Sequence, residues 1–184
     1  DEKIHIMLSS ETLSELGSLF KVKFDDRRNR LDVKLENKQK VSCFEAQESV
    51  DITILLPEKF TEHTEVSASV KKLFIEDLYL RRLEYDGDAE QIYIRDAEGR
   101  LEFTAKTDYE FFITGNCTKL DVYQFKAKSI VHLETVDNYK FLNNGRKCKL
   151  ITRKNGETVA MEENENAENT ISTSGMFSEL IVEV

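Results

Sequence analysis

The sequence predicts an all-β protein: a parallel β-solenoid, right-handed and β-helix-like, with N-terminal strands packed on it. Three observations support this fold class. Apolar-x-apolar triplets recur through residues 64–141, the first members of successive triplets are nine or ten residues apart, and turn-forming dipeptides are scarce between them.

Each triplet predicts a short strand, because residues i and i+2 of a strand lie on the same face. Two triplets fill about nineteen residues, as the steps from Leu73 to Ile92 and from Ile92 to Phe111 show. Coils of this length, stacked roughly 4.8 Å apart, account for the whole register. An antiparallel β-sandwich is the alternative, but within residues 64–141 only Asp86-Gly87 has the form of a common hairpin turn.

The predicted core consists of the first and third residues of each triplet. Burying one such side chain stabilises the fold by roughly 1.5–3 kcal/mol, and no coil is stable without its neighbours. The pattern does not determine how many sides a coil has. The predicted inward pairs are Leu73/Ile75, Leu83/Tyr85, Ile92/Ile94, Leu101/Phe103, Phe111/Ile113, Leu120/Val122, Ile130/His132 and Tyr139/Phe141.

The first sixty residues predict further strands. "FKVKF" at 20–24 and "LDVKL" at 31–35 alternate apolar and charged residues around a charged turn, which indicates a hairpin. "VDITILLP" at 50–57 indicates another strand, which ends at the only proline. Near residue 13, the spacing of Leu13 and Leu16 predicts one helical turn that Gly17 would end.

The C-terminal part has a different composition. The segment "NGETVAMEENENAEN" is acidic and poor in apolar residues, so we expect a loop. We expect "ISTSGMFSELIVEV" to be a strand that closes the open end of the stack. The prediction is a single domain over 1–184, with N-terminal strands in 1–60, solenoid coils in 61–154 and the loop and closing strand in 155–184.

Composition and charge argue against two classes of binding partner. A net charge of -9 with a pI near 5.0 argues against nucleic acid, whose phosphates are bound by Lys and Arg, and against an anionic membrane surface. We expect no transmembrane segment, since no apolar run approaches the roughly eighteen residues that one needs. The chain opens at Asp1 without an initiating Met or a signal-peptide pattern, so either processing removed a segment or the sequence was cut there. Cys43, Cys117 and Cys148 lack a CxxC spacing; one disulfide with a free thiol and three free thiols are both open.

Several stretches resemble the head GIN-domain family, whose members carry the name "putative auto-transporter adhesin". They are "LDVKL…VDITILLPEKF", "YDGDAEQIYI", "ITGNCTKLDVYQFKAKSIVHLET" and "ISTSGMFSEL". The resemblance covers nearly the whole chain and is strongest from Leu120 to Leu133. The main departure is that the glycine-rich turns of the family are thinned to Asp86-Gly87-Asp88 and Thr114-Gly115-Asn116.

The resemblance implies a β-helical fold and a bacterial, exported protein. Its location would be the periplasm or the outer cell surface, where a removed N-terminal segment could carry a lipid anchor. The family has no catalytic residues to transfer to this chain.

The middle residue of each triplet is predicted to point outward, and one resulting column is apolar. At steps of nineteen it contains Phe74, Tyr93, Phe112 and Val131. Exposed aromatic rows can stack on sugars or on a partner surface, so Phe74, Tyr93 and Phe112 are the candidate binding residues. In the other interpretation, the N-terminal strands or a second subunit cover this column and make it core.

A second outward column is charged and contains Glu65, Glu84, Glu102, Asp121 and Lys140. Neighbouring carboxylates repel one another unless they are solvated or neutralised, so a solvated face explains the column. The metal alternative is a calcium ion held by Glu84, Glu102 and Asp121, because calcium prefers several oxygen ligands. We expect no other metal site and no cofactor.

Catalytic motifs are absent from the sequence, which lacks a Gly-x-Ser-x-Gly elbow, an HExxH helix and a phosphate loop. His132 falls on an inward position, where a hydrogen-bonded core histidine is expected. We therefore expect a non-enzymatic exported protein whose surface serves adhesion, self-association or envelope structure. Its expected partners are protein or carbohydrate at the cell surface, or a second copy in a homo-oligomer. The alternative is a polysaccharide-active β-helix enzyme, a lyase or hydrolase, with Arg100 or Lys140 as its cation.

Overall fold

The computed structural model describes residues 3–11, 16–27, 30–37, 51–57, 60, 62–161 and 164–184. Nearly all regular structure in them is strand, so the protein is all-β as predicted; α1 (Leu16–Leu19) is one short turn. No helix in these ranges is long and apolar enough to cross a membrane. The strands are β1 (His5–Ser9), β2 (Phe20–Arg27), β3 (Arg30–Asn37), β4 (Asp51–Leu55), β5 (His63–Ser67), β6 (Val70–Asp86), β7 (Ala89–Phe103), β8 (Tyr109–Thr114), β9 (Leu120–His132), β10 (Tyr139–Gly145), β11 (Lys149–Lys154), β12 (Glu157–Thr158) and β13 (Asn169–Glu183).

The predicted N-terminal hairpin is confirmed. β2 and β3 are antiparallel, and Phe24 lies opposite Val33. β1 and β4 form a separate two-stranded antiparallel sheet. α1 contains Gly17 and continues to Leu19, so the prediction that Gly17 ends a helical turn is wrong. Leu13 lies outside the described residues.

The remaining strands form one eleven-stranded sheet. Its order is β12-β11-β13-β9-β8-β7-β6-β5-β3-β2, and β10 pairs with β13. Of the twelve pairings among described strands, nine are parallel and three are antiparallel. The sheet is mixed and open, and its parallel pairings are not those of an antiparallel sandwich.

The predicted period is visible in the strand register. Ile92 of β7 lies opposite Leu73 of β6 and Phe111 of β8, and Tyr85 of β6 lies opposite Val66 of β5. Each of these steps is nineteen residues. On the outer faces of β5 to β8, the residues that the sequence pattern predicts to be neighbours are therefore cross-strand neighbours in the structure.

Most of the predicted inward residues are in the core. Leu73 and Tyr139 are partly buried and pack against it. The alternation of buried and outward residues follows strand geometry. The fully enclosed members are Ile75, Leu83, Tyr85, Ile92, Ile94, Leu101, Phe103, Phe111, Ile113, Leu120, Val122 and Phe141.

The predicted register is wrong in the second half of β9. Val131 and Leu133 are buried there, whereas Ile130 and His132, predicted to face inward, lie on the outer side. The cause is Lys126, which has a φ of 56° and is skipped in the pairing of β9 with β13. This β-bulge adds one residue to the strand and turns the following side chains to the opposite face.

β13 lies inside the sheet, with β9 on one edge and both β10 and β11 on the other. Asp121 of β9 is therefore opposite Ser172, and Ser172 is opposite Leu142 of β10. The nineteen-residue step from Asp121 to Lys140 is consequently not formed. The division of the domain into 1–60, 61–154 and 155–184 remains a prediction.

β12 lies in the segment that was predicted to be a loop, and it forms a hairpin with β11, which precedes that segment. Its turn contains Asn155 and Gly156, which have φ values of 52° and 80°. An Asn-Gly dipeptide between strands is the strongest short-range hairpin signal, and Asn155-Gly156 carries it here.

Two of the three cysteines are described, and both are free thiols. Cys117 is buried and Cys148 is half-buried. Cys43 lies outside the described residues.

Candidate functional site

An aromatic column crosses β6, β7, β8 and β9 on the outer side of the sheet. Phe74, Tyr93 and Phe112 are cross-strand neighbours, as their spacing predicted. The ring centroids of Phe74 and Tyr93 are 4.9 Å apart, as are those of Tyr93 and Phe112. His132 is the fourth member, with its ring centroid 4.4 Å from that of Phe112. Val131, predicted for this place, is buried because of the bulge in β9.

The rings of this column stack on one another face to face. Successive ring planes make angles of 12°, 13° and 5°, so Tyr93 and Phe112 have both faces covered and present their edges. Each stacked pair contributes about 0.5–1.5 kcal/mol beyond the area that it buries. Among the described residues only the ring of Tyr93 stacks on that of Phe74, so Phe74 has one free ring face at the end of the column, and 59% of the residue is exposed. Sugar stacking along the row, which needs open ring faces, is therefore not available at the two central rings.

A polar row lies beside the aromatic column. Lys72, Gln91 and Glu110 are cross-strand neighbours. The hydroxyl of Tyr93 donates to Gln91 Oε1 at 3.0 Å, and His132 Nε2 lies 2.9 Å from Glu110 Oε1. These hydrogen bonds fix the orientation of two of the four rings, which makes the column rigid.

The charged column is confirmed for its first three members and differs at the fourth. Glu65, Glu84 and Glu102 are cross-strand neighbours on β5, β6 and β7. Glu102 is followed by Tyr123 on β9, while Asp121 lies opposite Arg100. The step between β7 and β9 is 21 residues at this point, so the nineteen-residue extrapolation to Asp121 is wrong.

Arginines neutralise the carboxylates of this column. Arg82 donates to Glu84 at 2.9 Å and also to Glu102. Arg100 donates to Glu102 at 2.5 Å and to Asp121 at 3.2 Å. A calcium ion held by Glu84, Glu102 and Asp121 would have to compete with both guanidinium groups; this site stays a prediction.

The role of these arginines was not predicted, although the sequence carries a signal for it. Arg82 and Glu84 are two residues apart in "RRLEY", and Arg100 and Glu102 are two residues apart in "GRLEF". Residues i and i+2 share a strand face, so this repeated Arg-x-Glu pattern predicts ion pairs along and between strands. His63 precedes Glu65 in the same way in "HTEV".

Two side chains of the core, Tyr85 and Cys117, carry ionisable groups. Burial, with smaller contributions from Tyr109 and Asp88, raises the pKa of Tyr85 above its usual 10.0, and the Tyr85 hydroxyl donates to the carbonyl oxygen of Ala68 at 2.6 Å. Burial also raises the pKa of the Cys117 thiol. Because the thiolate is the nucleophile, Cys117 is not activated for chemistry at neutral pH.

Comparison with known proteins adds little to this description. No family model and no curated protein matches the chain, so the resemblance to the head GIN-domain family is not confirmed by a match. A crystal structure of a "putative cell adhesion protein" from Clostridium sporogenes aligns over 98% of this chain and 82% of that chain. The sequence identity is 13% and the TM-score is 0.35, a likeness too distant to assign this chain to a family.

Proposed function

We propose that this chain is a non-enzymatic, exported bacterial protein that uses a rigid outer face for adhesion or self-association. In this proposal the parallel strands form a β-solenoid with coils of about nineteen residues, as strands stacked at one repeating offset would do. The observation that carries the proposal is the aromatic column and the free face of Phe74 at its end.

The end of the column has the chemistry of a protein contact. Phe74 and Tyr79 are 59% and 56% exposed, and both lie in the first half of β6, residues 70–79. In the described part of the chain, this half-strand pairs with β7 alone. Exposed aromatic residues beside an unpaired strand edge favour association with another protein surface or a second copy. A surface of this kind serves adhesion without a catalytic group.

Self-association and cell-surface binding are tested with one pair of variants. Phe74→Ser removes the free aromatic face, and Leu150→Ser removes an exposed apolar side chain of β11 as a matched control. Sedimentation velocity over a concentration series measures self-association, and binding of labelled protein to intact bacterial cells measures adhesion. The wild type should associate in at least one of these two assays. Phe74→Ser should weaken whichever association occurs, and Leu150→Ser should not. A wild type that stays monomeric and binds no cells would overturn the proposal.

Export is a separate part of the proposal and rests on the sequence resemblance. Fractionation of the producing bacterium should place the protein in the periplasm or on the outer surface. Accumulation in the cytoplasm alone would contradict export without affecting the assignment of the aromatic column.

A further inference from the structure

Three side chains with metal-binding atoms converge where β5 meets β6. His63 and Glu65 lie on the same face of β5, and Glu84 of β6 is the cross-strand neighbour of Glu65. One ligand atom from each residue lies within 4.8 Å of the other two. The side chains of His63, Glu65 and Glu84 are 24%, 25% and 27% exposed. The group therefore combines an imidazole nitrogen with two carboxylates in a largely shielded position.

One nitrogen of the His63 imidazole is not satisfied by hydrogen bonds in this arrangement. Its Nε2 is shielded from solvent and has no hydrogen-bond partner among the described residues. The atom lies 3.7 Å from Glu65 Oε1 and 3.6 Å from Glu84 Oε2, which is too long for a hydrogen bond. Two ligand atoms that each lie about 2.0–2.2 Å from one tetrahedral zinc ion are separated by about 3.4 Å. The observed separations are thus close to those of atoms that share a metal ion.

A second histidine provides an internal comparison. His132 is 23% exposed in its side chain and also lies beside a glutamate, but its Nε2 is 2.9 Å from Glu110 Oε1, at hydrogen-bond distance. His63 also occupies the register position of Arg82 and Arg100 in the next two strands. Those arginines hydrogen-bond to their neighbouring carboxylates, and His63 does not.

We propose that His63, Glu65 and Glu84 bind a divalent transition-metal ion of the zinc class. Imidazole nitrogen and carboxylate oxygen together suit zinc, whereas calcium selects oxygen ligands. A water molecule or a group from a binding partner completes the fourth position. Arg82 shares Glu84 Oε2 at 2.9 Å, so metal binding moves this guanidinium away from Glu84 and leaves it with Glu102.

The ion would join two strands that connect different parts of the sheet. β5 pairs with β3 of the N-terminal hairpin on one side and with β6 on the other. A ligand that binds only the folded protein stabilises it in proportion to the logarithm of its concentration. Zinc should therefore strengthen the junction between the N-terminal strands and the main sheet.

The test uses chelator-treated protein and zinc alone, followed by isothermal titration calorimetry. The wild type should bind one zinc ion and unfold at a higher temperature with zinc present. His63→Arg should abolish binding, and it places arginine at the register position that Arg82 and Arg100 occupy in the next two strands, so the fold should be retained. Mutating a residue that only hydrogen-bonds to a metal ligand lowers metal affinity by about 10–100-fold. Loss of the His63 ligand itself should lower zinc affinity by at least that factor. His132→Ala should bind zinc like the wild type.

Cobalt supplies a readout that does not depend on stability. Bound at His63, Glu65 and Glu84, Co²⁺ should give visible absorption bands in the wild type that are missing in Glu65→Gln, a variant of the same shape. If His63→Arg fails to fold, Glu65→Gln decides the matter. The proposal is overturned if the wild type binds no zinc, or if His63→Arg and Glu65→Gln bind it as well as the wild type does.

Discussion

At the scale of single residues, Gly115 shows how closely successive strands approach one another at a corner. Its φ is 71°, and a Cβ atom placed on it would lie 2.3 Å from Asp96 Oδ1. That oxygen accepts a hydrogen bond from the backbone N–H of Asn116 at 2.8 Å. Asp96 itself has a φ of 50°. Glycine at this position therefore provides both the backbone conformation and the space for the Asp96 carboxylate.

Gly115→Ala is expected to destabilise the protein more than Gly156→Ala. Gly156 also has a positive φ, 80°, but a Cβ atom there would meet nothing within 4 Å. Gly156→Ala, the control, should lower the unfolding free energy by about 1–2 kcal/mol through backbone strain. Gly115→Ala should lower it by a further ~1–3 kcal/mol through overpacking. Urea denaturation of the two variants measures the difference. Equal losses of unfolding free energy would show that Asp96 moves aside freely.

Buried hydroxyl groups predict the response of stability to alkaline pH. The pKa values of Tyr85 and Tyr109 are raised above 10.0, chiefly by burial. The folded state therefore keeps protons that the unfolded chain releases, and stability falls as the pH rises above about 10. Below that pH this contribution is fully present. Denaturation midpoints measured from pH 8 to 11 should show the decline, and Tyr85→Phe should make it shallower. A decline of the same slope in Tyr85→Phe would remove Tyr85 as a cause.

At the scale of elements, the bulge in β9 decides which side chains are core. It places Val131 inward and Ile130 outward. Strict alternation along β9 from Leu120 and Val122 would place them the other way round. Val131 is 0% exposed. The outward turn of the strand also brings His132 onto Phe112 and so extends the aromatic column.

Matched asparagine substitutions test this register. Val131→Asn loses a buried apolar group worth about 1.5–3 kcal/mol and buries an amide at a cost of about 1–3 kcal/mol, so it should unfold the protein or nearly so. Ile130→Asn should cost about 1 kcal/mol, as at partly exposed positions generally. Thermal melts followed by circular dichroism compare them. Greater damage from Ile130→Asn would restore the register without the bulge.

The sequence predicts the elements best where one strand repeats the alternation of the previous one. From Leu73 to Ile113 the inward residues follow from a periodicity of two within each strand and a step of eighteen or nineteen residues between strands. The order of Phe74, Tyr93 and Phe112 follows from the nineteen-residue step. The prediction fails at Lys126 because an extra residue in a strand leaves no local sequence signature. It fails at Asp121 because the offset between β7 and β9 depends on the loop that precedes β9.

At the scale of the whole molecule, the position of β13 determines how the sheet holds together. In the described residues, β10 pairs only with β13, and β11 pairs with β13 and the two-residue β12. Residues 139–154 are thus attached to the main sheet through 169–183. Pairing in β13 depends on non-local contacts, such as that of Thr173 with Val122, which periodicity along the chain does not encode.

A proline in β13 should release β10 and β11 together. Thr173 is fully buried and lies between Val122 of β9 and Asn143 of β10, so Thr173→Pro removes a backbone donor from the centre of the sheet. Hydrogen exchange measured by mass spectrometry should show lost protection in β10 and β11 at least as large as in β13. Retained protection of β10 and β11 would mean that other contacts hold them.

The position of β13 between β9 and the pair β10 and β11 sets an order of assembly during synthesis. As the chain emerges from the ribosome, β5 to β9 can pair one after another, because each finds its neighbour in residues already made. Among the described residues, β10 has no partner strand when it emerges, and β11 has only the two-residue β12. Neither strand of residues 139–154 joins the main sheet until residues 169–183 are made and pair between them and β9. A pause in translation between these two segments would therefore prolong the exposure of two unprotected strands, which is the stage at which a chaperone would be needed most.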